Sequence, residues 1–150
     1  MDNSFSEIKK KNMIFKRKLT FCVDFDGTCV SHAFPEVGKD IGAVPVLKEL
    51  VEKGHKLILY TMRAPGMKPG DPDTEAAAVE WFRDNDIPLW GVNRNPVQWR
   101  WTKSRKVNAD YYIDDAALGA PLKLDTNISP RPFIDWTKMR ELLVAIGALD

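Results

Sequence analysis

A chain of 150 residues has the length of one domain, which argues for a single hydrophobic core and against two modules. Apolar residues at 44% and charged residues at 29% exclude a disordered chain. The net charge of +1 excludes a uniformly basic nucleic-acid binder, although it conceals an uneven distribution.

Residues 1–18 hold Lys9, Lys10, Lys11, Lys16, Arg17 and Lys18 against Asp2 and Glu7, so the remainder, with sixteen basic and nineteen acidic side chains, carries a charge near −3. This segment reads as a solvated basic leader to a single domain over residues 19–150, with an arm for phosphate backbone as the alternative. It has no uninterrupted apolar signal core, and no stretch of the chain reaches the roughly 20 apolar residues that span a bilayer. Cys22 and Cys29 have no second Cys or His at zinc-site spacing. The expectation is a reduced, cytoplasmic protein with no membrane partner.

Residues 19–25 form a short apolar run ending at Gly27, which predicts a buried strand followed by a turn. Between Val44 and Lys53, Val44, Leu47, Leu50 and Val51 follow helical spacing, with Pro45 in the first turn and Gly54 beyond the end. Residues 56–61 repeat the pattern of an apolar strand with a polar tip, Thr61, and complete a βαβ unit. Asp73 is placed to cap a helix running to about Asp84, with Val79 and Phe82 on one face, and Leu89 to Val92 is the next strand. Tyr111 to Ile113 predicts another strand leading into Asp114-Asp115, and Leu122 to Leu124 an edge strand. A last helix from about Asp135 sets Met139, Leu142, Leu143 and Ile146 on one face and ends at Gly147.

Alternating strands and helices imply a mostly parallel sheet covered on both faces, whose binding crevice lies beyond the carboxyl ends of the strands. Asp24, Asp26, Thr61, Asp114 and Asp115 all stand at or just past such ends. Carboxylates gathered at the tips of apolar strands favour a divalent cation among them, and Mg²⁺ takes oxygen ligands of this kind. Asp24, a carbonyl at Asp26 and a carboxylate of the later pair supply a ligand set, with the choice between Asp114 and Asp115 open. Phosphoryl transfer needs a nucleophile, a proton donor and positive groups around the transferred phosphoryl. Asp24 is the candidate nucleophile and Asp26 the candidate acid and base. Gly27 and Thr28 are candidates for phosphate contact through the turn, Thr61 through its hydroxyl, and Lys106, with Lys103 in reserve, through its charge.

In this order, Asp24-Phe-Asp26-Gly-Thr28, Thr61, Lys106 and Asp114-Asp115 resemble the four motifs of the haloacid dehalogenase (HAD) superfamily, over roughly residues 19–119. The resemblance implies a Rossmann-like three-layer α/β/α sandwich, a Mg²⁺ cofactor and an aspartyl-phosphate intermediate. An Asp at position 26 points to the phosphatase branch, and the short gaps between motifs imply a capless domain. A capless site can borrow a neighbouring subunit or a macromolecular substrate to exclude water. The implied reaction is hydrolysis of a phosphomonoester on a small molecule, a nucleotide or a nucleic-acid end. Two alternatives stand beside it, a catalytically idle module that binds phosphate or nucleic acid, and a phosphotransferase.

Arg63, just past Thr61, is a candidate substrate contact or a surface ion pair. His55, after a helix-ending glycine, is expected to be exposed, and His32, in the loop after the first motif, receives no role. From Ile87 to Ala109 the chain carries Arg94, Arg100, Lys103, Arg105 and Lys106 without an acidic residue, interleaved with Trp90, Trp99 and Trp101. The expectation is that these tryptophans pack beneath an irregular loop; the alternative is that they stack a base.

Overall fold

The computed structural model describes residues 3–15 and 17–150. Asp2 and Lys16 of the basic leader thus lie outside the described residues. Within that leader Asn3–Phe15 is a helix, α1, exposed at Phe5, Lys9 and Lys10 but with Ile8 packed against the core.

Four parallel strands, β1 (Thr20–Val23), β2 (Lys56–Leu59), β3 (Gly91–Val92) and β4 (Tyr111–Ile113), form one sheet in the order β3-β2-β1-β4. Three helices follow the predicted punctuation. The first, α2 (Ala43–Glu52), ends ahead of Gly54; the next, α3 (Thr74–Asp84), is capped by Asp73, whose carboxylate accepts from the Ala76 amide. The third, α4 (Trp136–Ala145), is capped by Asp135, which accepts from Thr137 and Lys138. Each cap satisfies amide donors that the first turn of a helix otherwise leaves unpaired.

Alternation along the strands divides the core in two. Phe21, Val23, Leu57, Leu59 and Ile113 share one cluster with Leu47 and Leu50 of α2, Phe82 of α3 and Leu143 of α4. Cys22 and Ile58 face the other way and meet Val107, with Trp90 and Ala109 partly buried against them. The right-handed crossover rule explains the division. The connections β1-α2-β2 and β2-α3-β3 advance in one direction across the sheet, whereas β3 to β4 returns past β1 and so crosses the opposite face. Here that return is an irregular segment with a single 3₁₀ turn, Gln98–Arg100. Among the described residues the second helical layer of a three-layer sandwich is therefore replaced by this segment.

The edge strand expected near Leu122 is short, Leu122–Lys123 (β5), and joins no edge of the main sheet. It pairs antiparallel with Phe133–Ile134 (β6), a strand of two residues that leaves no periodic signal. His55 is a second departure, being buried rather than exposed. Its Nδ1 accepts from the Leu19 amide at 3.0 Å and its Nε2 donates to the Ala148 carbonyl at 2.8 Å, while burial lowers its pKa. Both cysteines are free and buried, and burial pushes the Cys22 thiol up to about 12. No described helix is long and apolar enough to cross a membrane.

Candidate metal and phosphate site

In the strand order β3-β2-β1-β4 the direction of winding reverses between β1 and β4, and a crevice opens beyond strand ends at such a switch point. Asp24 directly follows β1, and its amide donates to the carbonyl of Ile113, the last residue of β4, at 2.9 Å. That bond sets Asp24 beside Asp114 and Asp115. One ligand oxygen from each of the three carboxylates lies within 4.8 Å of the others, and all three side chains are half-buried.

Desolvation, followed by the repulsion of Asp114, pushes the Asp24 carboxyl up to about 7. A cation among these oxygens would reverse both effects, and a set of hard carboxylate oxygens suits Mg²⁺. By donor chemistry and mutual distance, the residues present fit that ion. The Asp26 side chain is not part of this cluster. Its contribution to a metal would come through its carbonyl, on which no hydrogen bond from the described residues ends.

The turn after Asp24 is tightly self-bonded. The Gly27 amide donates to Val30, and the amides of Thr28 and Cys29 both donate to the Phe25 carbonyl. All three amides are engaged within the turn. In this turn the Asp26 amide bonds to no described group. Thr28 is fully buried, and its hydroxyl donates to Asp24 Oδ2 at 2.9 Å while accepting from the Asp115 amide at 3.0 Å. It orients the Asp24 carboxylate and fixes the backbone at Asp115.

Gly27 serves by its lack of a side chain. Its φ of +79° favours glycine, and a Cβ there would stand 2.1 Å from His32 Nε2 and 2.5 Å from Asp115 Oδ2. Those two atoms lie 2.9 Å apart, so His32 holds the Asp115 carboxylate in place.

Arg63 is buried, and its planar fork grips Asp26. Nε and Nη2 donate to the two carboxylate oxygens, each at 2.8 Å. Its remaining donors reach the carbonyls of Pro35, Glu36 and Thr74. A guanidinium has five N–H donors, and here all five are used. Arg63 therefore has no donor left for substrate, and with 2% exposure it is no surface ion pair either. Its charge lies over the rings of Phe25 and Phe34, 4.9 and 5.2 Å from their centres. The residue ties Asp26 to the loop at residues 34–36 and to the first turn of α3.

Thr61 lies at the tip of β2, as its place in the sequence predicts. Its amide donates to Asn93 Oδ1 at 2.8 Å and its hydroxyl oxygen accepts from the Arg63 amide, which leaves the hydroxyl proton available. Lys106 is not drawn into the cluster. It is exposed, with its ammonium 5.4 Å from the centre of the Tyr112 ring, and the reserve candidate Lys103 is exposed on the same segment. The structure thus brings together Asp24, Thr28, Asp114 and Asp115, adds His32 and Arg63 in supporting places, and leaves both lysines outside. An isolated histidine in a loop carries no sequence signal for its role, because its partner Asp115 is 83 residues away.

No protein-family model matches the chain, and no curated protein matches it. Among solved structures, a conserved protein from Bacteroides thetaiotaomicron is similar, with 34% sequence identity and a TM-score of 0.60, covering 75% of this chain and 86% of the other. At that identity and coverage the two chains belong to one family and share a fold, here an α/β fold with a parallel sheet.

Proposed function

We propose that this protein hydrolyses phosphomonoesters with the aid of Mg²⁺, with Asp24 as the nucleophile. The observation that carries this reading is the cluster at the switch point, where a desolvated Asp24 lies within 4.8 Å of Asp114 and Asp115. It rests also on the resemblance of the residue order to the HAD phosphatases, whose chemistry this geometry suits.

In the first step an Asp24 carboxylate oxygen attacks phosphorus, the bond from phosphorus to the ester oxygen breaks, and Asp26 protonates the departing alkoxide. In the second, a water oxygen attacks the phosphoryl group on Asp24, Asp26 takes the proton, and inorganic phosphate leaves with Asp24 restored. When bound, Mg²⁺ would neutralise the carboxylates and draw charge from the phosphoryl oxygens. Thr28 keeps Asp24 in a fixed rotamer, and Arg63 fixes the plane of the Asp26 carboxyl. The free Asp26 amide and the Thr61 hydroxyl are donors for the phosphoryl oxygens.

One observation favours a second reading, a module that binds phosphate without turnover. Both Asp26 oxygens are engaged by Arg63, so the proton transfer must use the lone pairs that Arg63 leaves. Turnover of a panel of phosphomonoesters, measured with Mg²⁺ and with chelator, decides between the two. Hydrolysis that needs Mg²⁺ and vanishes in Asp24→Asn supports the hydrolase. Phosphate binding without turnover of any ester supports the module.

A further inference from the structure

The segment that crosses the second sheet face buries Val107 together with amide side chains, and holds two of its tryptophans outward. Gln98 is buried and acts as its hub, donating to the carbonyls of Ser104 and Lys106 and accepting from the Asn108 amide at 2.8 Å. The Asn95 side chain donates to the Asn108 carbonyl, and the Tyr112 hydroxyl donates to that of Val107. The side chains of Gln98 and Asn95 tie the loop to itself from within. Trp99 is 70% exposed and Trp101 64% exposed, which corrects the expectation that these two pack beneath it. Large aromatic side chains held outward on a fixed frame are a feature that folding alone does not explain.

Charge points the same way. Arg94, Arg100, Lys103, Arg105 and Lys106 form no salt bridge among the described residues, and no acidic residue lies between Ile87 and Ala109. The Arg100 guanidinium lies 5.8 Å from the Trp99 ring centre and the Lys106 ammonium 5.4 Å from that of Tyr112. Tyr112 is half-exposed and its ring is 6.2 Å from that of Tyr60, also half-exposed. Tyr60 immediately precedes Thr61, and Tyr112 stands two residues before Asp114. A cleft of about 340 Å³ bordered by Arg94, Trp99, Lys103 and Arg105 also reaches Asn93, the residue that holds the Thr61 amide. Cations and aromatic faces therefore run together to the rim of the candidate site.

We propose that this surface, formed by residues 94–106 with Tyr60 and Tyr112, binds unpaired single-stranded nucleic acid and delivers a phosphate at the strand's end to Asp24. The delivery rests on the hydrolase reading above, whereas the binding surface does not. Single strands present both things the surface offers partners for, a backbone of phosphates and bases whose faces are free to stack. An acidic peptide or polyphosphate would leave the indoles without a role. A duplex hides its base faces from them.

The test uses full-length protein carrying Asp24→Asn, so that ligand is not consumed, and fluorescence anisotropy of a labelled, terminally phosphorylated single-stranded oligonucleotide. We expect binding that quenches tryptophan emission, that the matching duplex and inorganic polyphosphate compete for poorly, and that Trp99→Ala with Trp101→Ala weakens by about ten-fold or more. Replacing Arg100 and Lys103 by Gln should flatten the salt dependence by about 1.4 units of slope. With Asp24 intact, the double tryptophan variant should turn over p-nitrophenyl phosphate at the unaltered rate. Equal competition by polyphosphate, equal binding of duplex, or unchanged affinity without the tryptophans overturns the proposal. Strand binding by a protein that hydrolyses no phosphomonoester upholds this surface and overturns the hydrolase reading alone.

Discussion

Replacing Asp24 by Asn should stabilise the metal-free protein, and the gain should depend on pH in a definite direction. Burial and Asp114 raise the Asp24 carboxyl from its ordinary 3.8 to about 7. Between those values the unfolded chain has lost the proton that the folded chain still holds. Stability is therefore lost as pH rises through that window, and the whole cost is present above it. At about 1.4 kcal/mol for each pH unit, the cost reaches about 4 kcal/mol. Asn carries no charge, yet its carbonyl oxygen can still accept from Thr28, so the substitution removes the repulsion and keeps the hydrogen bond. Urea unfolding in chelator at pH 5 and pH 8 measures the effect. The variant's advantage should widen by about 2 to 3 kcal/mol between the two. Saturating Mg²⁺ should then stabilise the original protein more than the variant. An advantage that does not change with pH, or a variant less stable than the original at pH 8, would refute the argument that Asp24 is held charged against its surroundings.

Three other perturbations probe the scaffold. Arg63→Met leaves the Asp26 carboxylate and three carbonyls without their donor and should cost about 3 kcal/mol in urea unfolding, part of which Asp26→Asn in the same chain should restore. His55 has a lowered pKa in the fold, so its contribution is intact above about 6.5 and is lost as pH falls below that value. Measured in the Asp24→Asn background, where the opposing trend is absent, the urea midpoint should fall from pH 7 to pH 5, and His55→Gln should flatten the decline. Gly27→Ala forces a side chain into a positive φ and against His32, and should lower stability by about 1 to 3 kcal/mol in thermal unfolding.

What the sequence conveys about this molecule follows the range over which its signals act. Apolar runs and caps are local, so β1, β2, β4 and the helices α2, α3 and α4 are legible, as are the carboxylates that stand just beyond strand ends. The rule that strand ends converge then assembles Asp24 with Asp114 and Asp115 before any coordinates are known. Partners distant in the chain leave no such trace. Arg63 stands 37 residues from Asp26 and reads as a substrate contact or a surface ion pair until the fork-to-carboxylate geometry appears. The charged run at residues 9–11 obscures the helical pattern of α1. Trp99 and Trp101 mislead for a different reason. Aromatic residues usually fill the space beneath a loop, but here the buried side chain beside them is Gln98, and both indoles are exposed.

The measurement that tests the central claim most directly is chemical trapping of the phosphorylated enzyme. Protein quenched with acid during turnover of p-nitrophenyl phosphate in Mg²⁺, reduced with borohydride and digested, should yield a peptide with homoserine at position 24, the product of an acyl phosphate on that carboxylate. Turnover that proceeds while position 24 remains aspartate, or that persists in Asp24→Asn, would contradict the account.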